Sequence, residues 1–150
     1  MKIIPVGVYG PYPGIGGATN CYLVDNGKAK IVIDMGSGSL ATLKKYTKLS
    51  DVDAFILSHL HFDHFCDALP LAYTAGIKKV FCPATPKEFF SLFKNHTPFQ
   101  LGVINPNSVI EIGGMKLEFF PVVHPVETYA IKVSEEGHSF VYTSDTVWFE

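Results

Sequence analysis

The feature that most constrains this chain is a short apolar segment that runs into a dense cluster of histidine and aspartate. Residues 53–58, DAFILS, are almost wholly apolar, which is typical of a strand buried on both faces. Three of the six histidines follow at once, interleaved with two aspartates, within residues 59–67. Because such a strand needs a covering layer on each side, the segment predicts a layered α/β domain with polar chemistry at one strand end.

The rest of the chain predicts one mixed α/β domain over residues 1–150. A hairpin is expected at Asn26-Gly27, and helices are expected at 40–49, 67–76 and 86–94, the last behind a capping box that begins at Thr85. Apolar residues that alternate with polar ones predict an antiparallel sheet near the end of the chain. The predicted strands have the sequences KIIPVGVY, CYLVD, AKIVID, DAFILS, KKVFC, MKLEFFPVV, TYAIKVS and HSFVYTSD.

Composition limits the classes of partner and compartment. The formal net charge is −2 and all twelve basic residues are lysine, so the chain lacks the bidentate guanidinium groups that grip phosphate. Three widely spaced cysteines do not suggest a disulfide framework, and the N-terminal segment resembles neither a signal peptide nor a membrane span. We therefore expect a cytoplasmic protein with no membrane partner.

The residue types in the cluster are those that bind transition metals. His59, His61 and Asp63 follow at intervals of two residues, so an extended backbone would direct all three side chains to the same side. His64 must then point elsewhere, towards a second centre if the chain turns there. Neutral imidazole and carboxylate ligands suit zinc and, less exclusively, iron or manganese.

Four motifs, in this order along the chain, resemble those of the metallo-β-lactamase superfamily of dinuclear metal hydrolases. The second is the HxHxDH signature at residues 59–64, and the others contain Asp34 in KIVIDMG, His124 in VVHPVETYAI and Asp145 in VYTSDT. The resemblance spans essentially the whole chain. It implies a four-layer αβ/βα sandwich, in which two sheets face each other between helices and the metals lie at one edge.

The resemblance also implies a role for each residue. His59, His61 and His124 would hold one of two divalent ions, Asp63 and His64 the other, and Asp145 would bridge both. Asp63 and Asp145 are the catalytic candidates, with Asp63 also expected to orient the nucleophile. Asp34, and from its position Asp67, are expected to orient the ligand histidines from behind. Zinc is the expected metal, with iron and manganese as alternatives, and two such ions activate water at neutral pH.

The substrate class is less constrained than the chemistry. The segments HPVETYAIKV and YTSDT are most similar to the ribonuclease Z and phosphodiesterase branch, whereas His64 departs from the zinc β-lactamases, which have no histidine after the aspartate. A small phosphodiester or nucleotide is the first expectation. Lactone or thioester hydrolysis is the alternative within the family, and a metal- and oxygen-binding redox protein is the alternative outside it. RNA stays open, but scattered lysines and a near-neutral charge do not favour it.

In this family the second metal takes one further histidine, well after the bridging aspartate. Only TVWFE follows Asp145 here. We therefore expect these residues to be the N-terminal part of a longer domain, poorly active alone, with a weak second metal site. The apolar residues Val147, Trp148 and Phe149 predict self-association, so a homo-oligomer is expected. The loop GPYPGIGGATN is expected to border the site, and His96 and His138 are expected to be exposed.

Overall fold

The computed structural model describes residues 1–74, 76–95 and 99–149. Histidine 96, for which exposure is predicted, lies outside the described residues. Within these ranges, ten strands form two sheets, and three α-helices and two 3-10 helices connect the strands of the first sheet. No helix in the described ranges is long and apolar enough to cross a membrane.

The first sheet has six strands in the order of the sequence. They are β1 (Lys2–Gly7), β2 (Cys21–Asp25), β3 (Lys30–Ile33), β4 (Ala54–Ile56), β5 (Lys78–Cys82) and β6 (Phe99–Val103). Strands β1 to β3 pair antiparallel and β3 to β6 pair parallel, so the predicted hairpin at Asn26-Gly27 is confirmed. Strand β4, the apolar segment that opens the cluster, is central and fully buried.

The second sheet is an antiparallel meander of four strands. These are β7 (Val109–Ile112), β8 (Met115–Pro121), β9 (Tyr129–Glu135) and β10 (His138–Tyr142), in the spatial order β10-β9-β8-β7. The tight turns at Gly113-Gly114 and Glu136-Gly137 adopt positive φ, as the turn residues predict. The sequence therefore predicts three of the four strands, β8 to β10, and the buried side chains of Tyr129, Ile131 and Val133, whereas β7 is not among the predicted strands.

Two apolar clusters hold the layers together. One lies between the two sheets and contains Ile31, Ile33 and Ile56 from the first sheet with Leu117 and Ile131 from the second. The other lies between the first sheet and its helices, and includes Val32, Phe55, Leu57, Leu43, Phe65 and Phe93. The predicted α/β class with two facing sheets is confirmed. Within the described residues the layers are helix, sheet and sheet, with no helix over the outer face of the second sheet.

The helix predicted at 40–49 is much shorter than expected. Helix α1 spans only Ser39–Leu43, and a separate 3-10 helix covers Leu49–Asp51. Apolar residues three apart drift by about 60° per step around an α-helix, so Leu49 would face away from Leu40. The chain therefore leaves the helix through turns after Leu43 and leaves Tyr46 half exposed.

The segment after the cluster is helical, but it is mostly not α-helix. Helix α2 spans Phe62–Phe65, and a 3-10 helix continues from Cys66 to Tyr73 with Pro70 inside it. Because Pro70 has no backbone N–H, it cannot close an α-helical hydrogen bond. The predicted helix is therefore confirmed over most of its length, and it is of the 3-10 type.

Helix α3 spans Lys87–Lys94, as predicted, but the predicted capping box does not form. Pro86 is the N-terminal capping residue, and no side chain caps the helix. The Thr85 hydroxyl instead donates to Glu127 Oε2 over 2.6 Å. A contact with the loop before β9 has therefore replaced the local cap.

Candidate metal centre

The clustered residues meet where the two sheets come together at one edge. Parallel strands β3 and β4 end side by side, which puts Asp34 next to Ser58 and His59. His124 comes from the loop between β8 and β9, and Asp145 follows β10. The sheets are joined here by a backbone hydrogen bond of 3.1 Å from Tyr129 N–H to the Ser58 carbonyl, beside the cluster.

Three imidazoles from distant parts of the sequence form a compact group. His61 Nδ1 lies 3.2 Å from His59 Nε2 and 3.0 Å from His124 Nε2. The three rings meet nearly edge to face, with centroids 4.8–4.9 Å apart. The structure therefore brings together the first predicted ligand set, with one ligand nitrogen of each ring within 4.8 Å of the others.

A second group lies beside the first. One ligand atom each from His59, His64 and Asp145 fall within 4.8 Å of one another. His64 Nε2 is 3.4 Å from Asp145 Oδ1 and 3.6 Å from Asp63 Oδ2. The Asp145 side chain is 44% exposed while that of His64 is fully buried, so this group opens to solvent on its carboxylate side.

The backbone of the HxHxDH segment is not extended throughout, in contrast to the path that would direct His59, His61 and Asp63 to the same side. The chain is extended at His61, but Asp63 already lies in the first turn of helix α2. The His64 N–H bonds the His61 carbonyl over 2.9 Å. The chain therefore turns at Phe62, and this turn places the side chain of His64 in the second group, apart from the side chain of His61 in the first.

Asp34 is the hub behind both groups. Its carboxylate is fully buried and accepts hydrogen bonds from the Ser58 N–H (2.7 Å), the Ser58 hydroxyl (2.8 Å) and the Tyr142 hydroxyl (2.8 Å). His64 Nδ1 lies 2.7 Å from the same carboxylate. Because a buried carboxylate accepts here, His64 carries its proton on Nδ1 and directs Nε2 to the open side.

A hydroxyl relay extends this network to the first group. Ser144 donates to Ser58 Oγ over 2.7 Å, and Ser58 donates on to Asp34. His59 Nδ1 lies 3.1 Å from Ser58 Oγ and 3.3 Å from Ser144 Oγ, so its N–H has acceptors there. His59 Nε2 is thereby left free to face His61. One buried carboxylate thus orients both His59 and His64.

Burial and charge set the protonation of these groups. Burial, reinforced by nearby His64, lowers the pKa of His59 to about 3, so His59 is neutral at pH 7. Burial alone would lower the pKa of His64, but the carboxylates of Asp34, Asp145 and Asp63 outweigh it and raise that pKa. Burial alone would raise the pKa of Asp34, but His64, His59 and the Ser58 N–H lower it, so Asp34 is ionised.

This donor set fits divalent metal. His59 Nε2 and His124 Nε2 lie 3.2 and 3.0 Å from His61 Nδ1, and the other ring nitrogen of His59 already contacts two hydroxyl groups. The second group adds carboxylate oxygens, which makes both sets of the nitrogen and oxygen type that zinc, iron and manganese accept. Ligand roles for the individual residues stay predictions.

Of the two aspartates expected to orient histidines, only Asp34 contacts one. Asp67 Oδ2 accepts the backbone N–H of Leu40 at the start of helix α1. In the described part of the chain, Asp67 makes no hydrogen bond to a histidine. Its position close to the HxHxDH signature in sequence is therefore misleading, because the 3-10 helix carries it towards α1.

Sequence reasoning missed three polar side chains at the site. Tyr142 and Ser144 lie on either side of the strand end that precedes Asp145, and Asn20 lies at the end of the Gly/Pro-rich loop. Asn20 Nδ2 is 3.0 Å from His64 Nε2. The only available signal was proximity to a motif for Tyr142 and Ser144, and to the predicted bordering loop for Asn20.

Comparison with known proteins gives consistent matches. Residues 14–150 match the family model described as the metallo-beta-lactamase superfamily. The chain is 30% identical over 159 residues to the probable metallo-hydrolase YhfI of Bacillus subtilis (strain 168), covering 97% of this chain and 64% of that protein. It is 28% identical over 117 residues to a ribonuclease Z of Methanopyrus kandleri, covering 74% of this chain and 42% of that enzyme.

The fold agrees with these matches. The crystal structure of the metallo-beta-lactamase fold protein YhfI from Bacillus subtilis superposes with a TM-score of 0.92 at 28% identity. The superposition covers 99% of this chain and 63% of that structure. The chain therefore spans less than two thirds of the length of YhfI.

Proposed function

Because this chain belongs to the metallo-beta-lactamase superfamily, we propose that it supplies the metal-binding part of a metal-dependent hydrolase. The observation that carries the proposal is the convergence of His59, His61 and His124 beside a second group that contains His64 and Asp145. We propose two divalent ions, with zinc as the expected metal. The free thiols of the three cysteines support a reducing compartment, the cytoplasm.

The residues divide the work as follows. His59, His61 and His124 would hold the first ion, Asp63 and His64 would hold the second, and Asp145 would be shared between them. When bound, the ions would supply Lewis-acid activation of water and of a substrate oxygen. Asp63 and Asp145 accept hydrogen bonds from the attacking water and so fix its direction. Asp34 keeps both His59 and His64 in the tautomer that presents Nε2 to the site.

A phosphodiester is the proposed substrate class. The similarity to a ribonuclease Z supports this class. The site is open and presents carboxylates, so a phosphate group would be bound through metal ions that the carboxylates hold and not directly by cationic side chains. RNA itself receives no support from the charge of the chain, since the net charge is −2. A small phosphodiester therefore fits better than a large polyanion.

One observation favours lactone or thioester hydrolysis as the second candidate. Phe62 stands between His61 and Asp63 in sequence, is 58% exposed, and contacts Phe89 with ring centroids 5.0 Å apart. An exposed aromatic surface next to the cluster suits an apolar acyl group. This aromatic surface supports lactone or thioester hydrolysis as the second candidate, whereas the HxHxDH motif alone does not favour it.

Metal analysis of matched histidine variants tests the proposal. His59→Ala and His61→Ala should each lose about one equivalent of zinc, because each removes one of three ligands to the same ion. His138→Ala is the matched control, since His138 is exposed in the β9–β10 hairpin. Zinc content is measured by elemental analysis after the protein is loaded with excess zinc and the unbound zinc is removed by gel filtration.

Substrate class is tested on the zinc-loaded protein with a bis-aryl phosphate, a lactone and a thioester. We expect the phosphodiester to be cleaved fastest, with loss of turnover in His61→Ala and not in His138→Ala. Equal zinc content in all three variants would contradict the metal proposal. A preference for lactone or thioester would contradict only the substrate class, and metal-dependent oxygen uptake without hydrolysis would favour a redox protein instead.

A further inference from the structure

We propose that Asn20 is a substrate-positioning residue whose side-chain amide donates a hydrogen bond to a phosphoryl or carbonyl oxygen bound at the second group. This inference rests on the hydrolase function proposed above. The motivating contact is the 3.0 Å separation between Asn20 Nδ2 and His64 Nε2. His64 Nε2 also faces Asp145 and Asp63, so the amide looks into the same space as these two carboxylates.

The contact has a defined chemical sense. In the neutral form of His64, which is the form that binds metal, Nδ1–H donates to the buried Asp34 carboxylate and Nε2 carries the lone pair, so the NH2 end of the Asn20 amide is the end that can donate to it. A metal ion at Nε2 would take this lone pair. The Asn20 donor would then be free for another acceptor in the same space, which is an oxygen of the substrate.

The backbone holds Asn20 in place. The Asn20 carbonyl accepts the Gly36 N–H over 3.1 Å, and the preceding Thr19 N–H donates to the Ser37 carbonyl over 2.9 Å. Residues 36 and 37 lie in the loop that begins at Asp34, between β3 and α1. The end of the Gly/Pro-rich loop is therefore tied to the same strand end that carries the hub of the site.

The opposite arm of the loop leaves the space open. A side chain at Gly10 would begin 3.7 Å from Asp63 Oδ2 and 3.9 Å from Asn20 Nδ2, so position 10 borders the same opening. The predicted position of this loop beside the site is thereby supported. A glycine here keeps the space between Asn20 and Asp63 accessible.

The site needs such a donor. The chain has no arginine, and within the described ranges no lysine forms an ion pair with Asp63 or Asp145. A neutral amide can donate to a substrate oxygen without adding a cation that would compete with metal for these carboxylates. Asn20 is a neutral donor of this kind, and its amide lies beside these carboxylates.

The test compares Asn20→Ala and Asn20→Asp with Asn107→Ala and Asn107→Asp. Asn107 is exposed in the loop between β6 and β7, so its variants match the changes in size and charge away from the site. Zinc binding and the binding of inorganic phosphate to the zinc-loaded protein are measured by calorimetry, and thermal unfolding checks that each variant is folded.

We expect Asn20→Ala to bind zinc normally and phosphate about five- to tenfold more weakly, the loss that removal of one hydrogen bond produces. Asn20→Asp should bind the second zinc about tenfold more tightly, because it adds a third carboxylate near His64, and should bind phosphate more weakly still.

The other outcomes distinguish the role proposed for Asn20 from the proposed metal binding. If the original chain binds zinc, but the Asn20 variants match the Asn107 variants in both zinc and phosphate binding, the role of Asn20 is wrong and the metal proposal stands. If zinc-loaded protein binds no phosphate at all, the oxygen-donor role is also overturned. Failure of the original chain to bind zinc would overturn both proposals.

Discussion

At the scale of single residues, Asp34 is the most tightly constrained position. It is fully buried and has a positive φ of 58°. Its carboxylate accepts hydrogen bonds from the N–H and the hydroxyl of Ser58 and from the hydroxyl of Tyr142, and it also contacts His64 Nδ1. A left-handed backbone costs a non-glycine residue about 1 kcal/mol, although aspartate tolerates it better than most. The hydrogen bonds to the carboxylate outweigh this cost and fix the direction of two imidazoles.

Tyr142→Phe tests how far Asp34 depends on its partners. The substitution removes the hydroxyl that donates to Asp34 over 2.8 Å while it keeps the buried ring. Loss of a buried hydrogen bond to a charged group should lower the free energy of unfolding by about 1.5–3 kcal/mol. Zinc affinity should also fall, by about tenfold, because Asp34 then holds His64 less firmly.

Tyr12→Phe is the control for Tyr142→Phe, because Tyr12 is 76% exposed. Urea unfolding without metal and zinc titration of the folded protein separate stability from metal binding. Normal zinc affinity in a destabilised Tyr142→Phe protein would mean that the hydroxyl supports the fold alone and does not position His64.

At the scale of elements, helix α3 shows how a local signal can yield to a distant partner. Thr85 has the sequence of a capping residue, yet its hydroxyl donates to Glu127, which also accepts from the Tyr129 hydroxyl over 2.6 Å. The contact ties the start of α3, on one side of the first sheet, to the strand β9 of the second sheet. Because the Thr85 hydroxyl makes this tertiary contact, it does not cap helix α3.

A double-mutant cycle with Thr85→Ala and Glu127→Ala measures this contact. Thr85→Ala alone should lower the free energy of unfolding by about 0.5–1.5 kcal/mol, the net value of one hydrogen bond. In the Glu127→Ala background the same change should cost almost nothing, since the partner is already gone. An equal cost in both backgrounds would indicate that Thr85 caps the helix after all; the cost is measured by chemical denaturation.

The elements that the sequence predicts are those with strong local signals. The hairpin at Asn26-Gly27 and the turns of the second sheet depend on residues that favour positive φ, and both are confirmed. Strand β6 lacks such a signal, because its side chains do not alternate cleanly between buried and exposed. It pairs with β5 with Gly102 opposite Phe81, whose ring occupies the space that a Cβ at position 102 would need, a fit that local sequence does not reveal.

At the scale of the whole molecule, the same distinction separates the predicted and unpredicted parts of the site. The dense HxHxDH signature and the ordered motifs predict the residues that converge. They do not predict Ser144, Tyr142 and Asn20, whose partners in the network are 86, 108 and 44 residues away. Asp67 is the converse case, since it is close in sequence and turned away in space.

The outer face of the second sheet supports the expected self-association, which stays a prediction. A largely apolar cavity of about 710 Å³ lies there between Phe120, Val141 and the segment at Trp148, and Trp148 is 93% exposed. Exposed apolar surface of this kind favours association. We expect this chain to form dimers or larger species. Trp148→Lys should make the free energy of association less favourable by about 2 kcal/mol.

Sedimentation velocity over a concentration series measures this effect. Tyr73→Lys is the control, because Tyr73 is 86% exposed on the 3-10 helix that packs against the other sheet. A monomer at all concentrations would contradict the prediction. Equal weakening by both substitutions would place the contact elsewhere.

The position of the candidate centre at the junction of the two sheets has a consequence for how the chain folds. Its groups extend from Asp34 to Asp145, and each sheet contributes part of them, so neither sheet alone can assemble it. A ligand that needs both sheets binds only once they have docked, and so it stabilises the folded state relative to every state in which the sheets are apart. Metal should therefore act on the lifetime of the folded chain by slowing its opening, and leave the rate at which the chain first folds nearly unchanged.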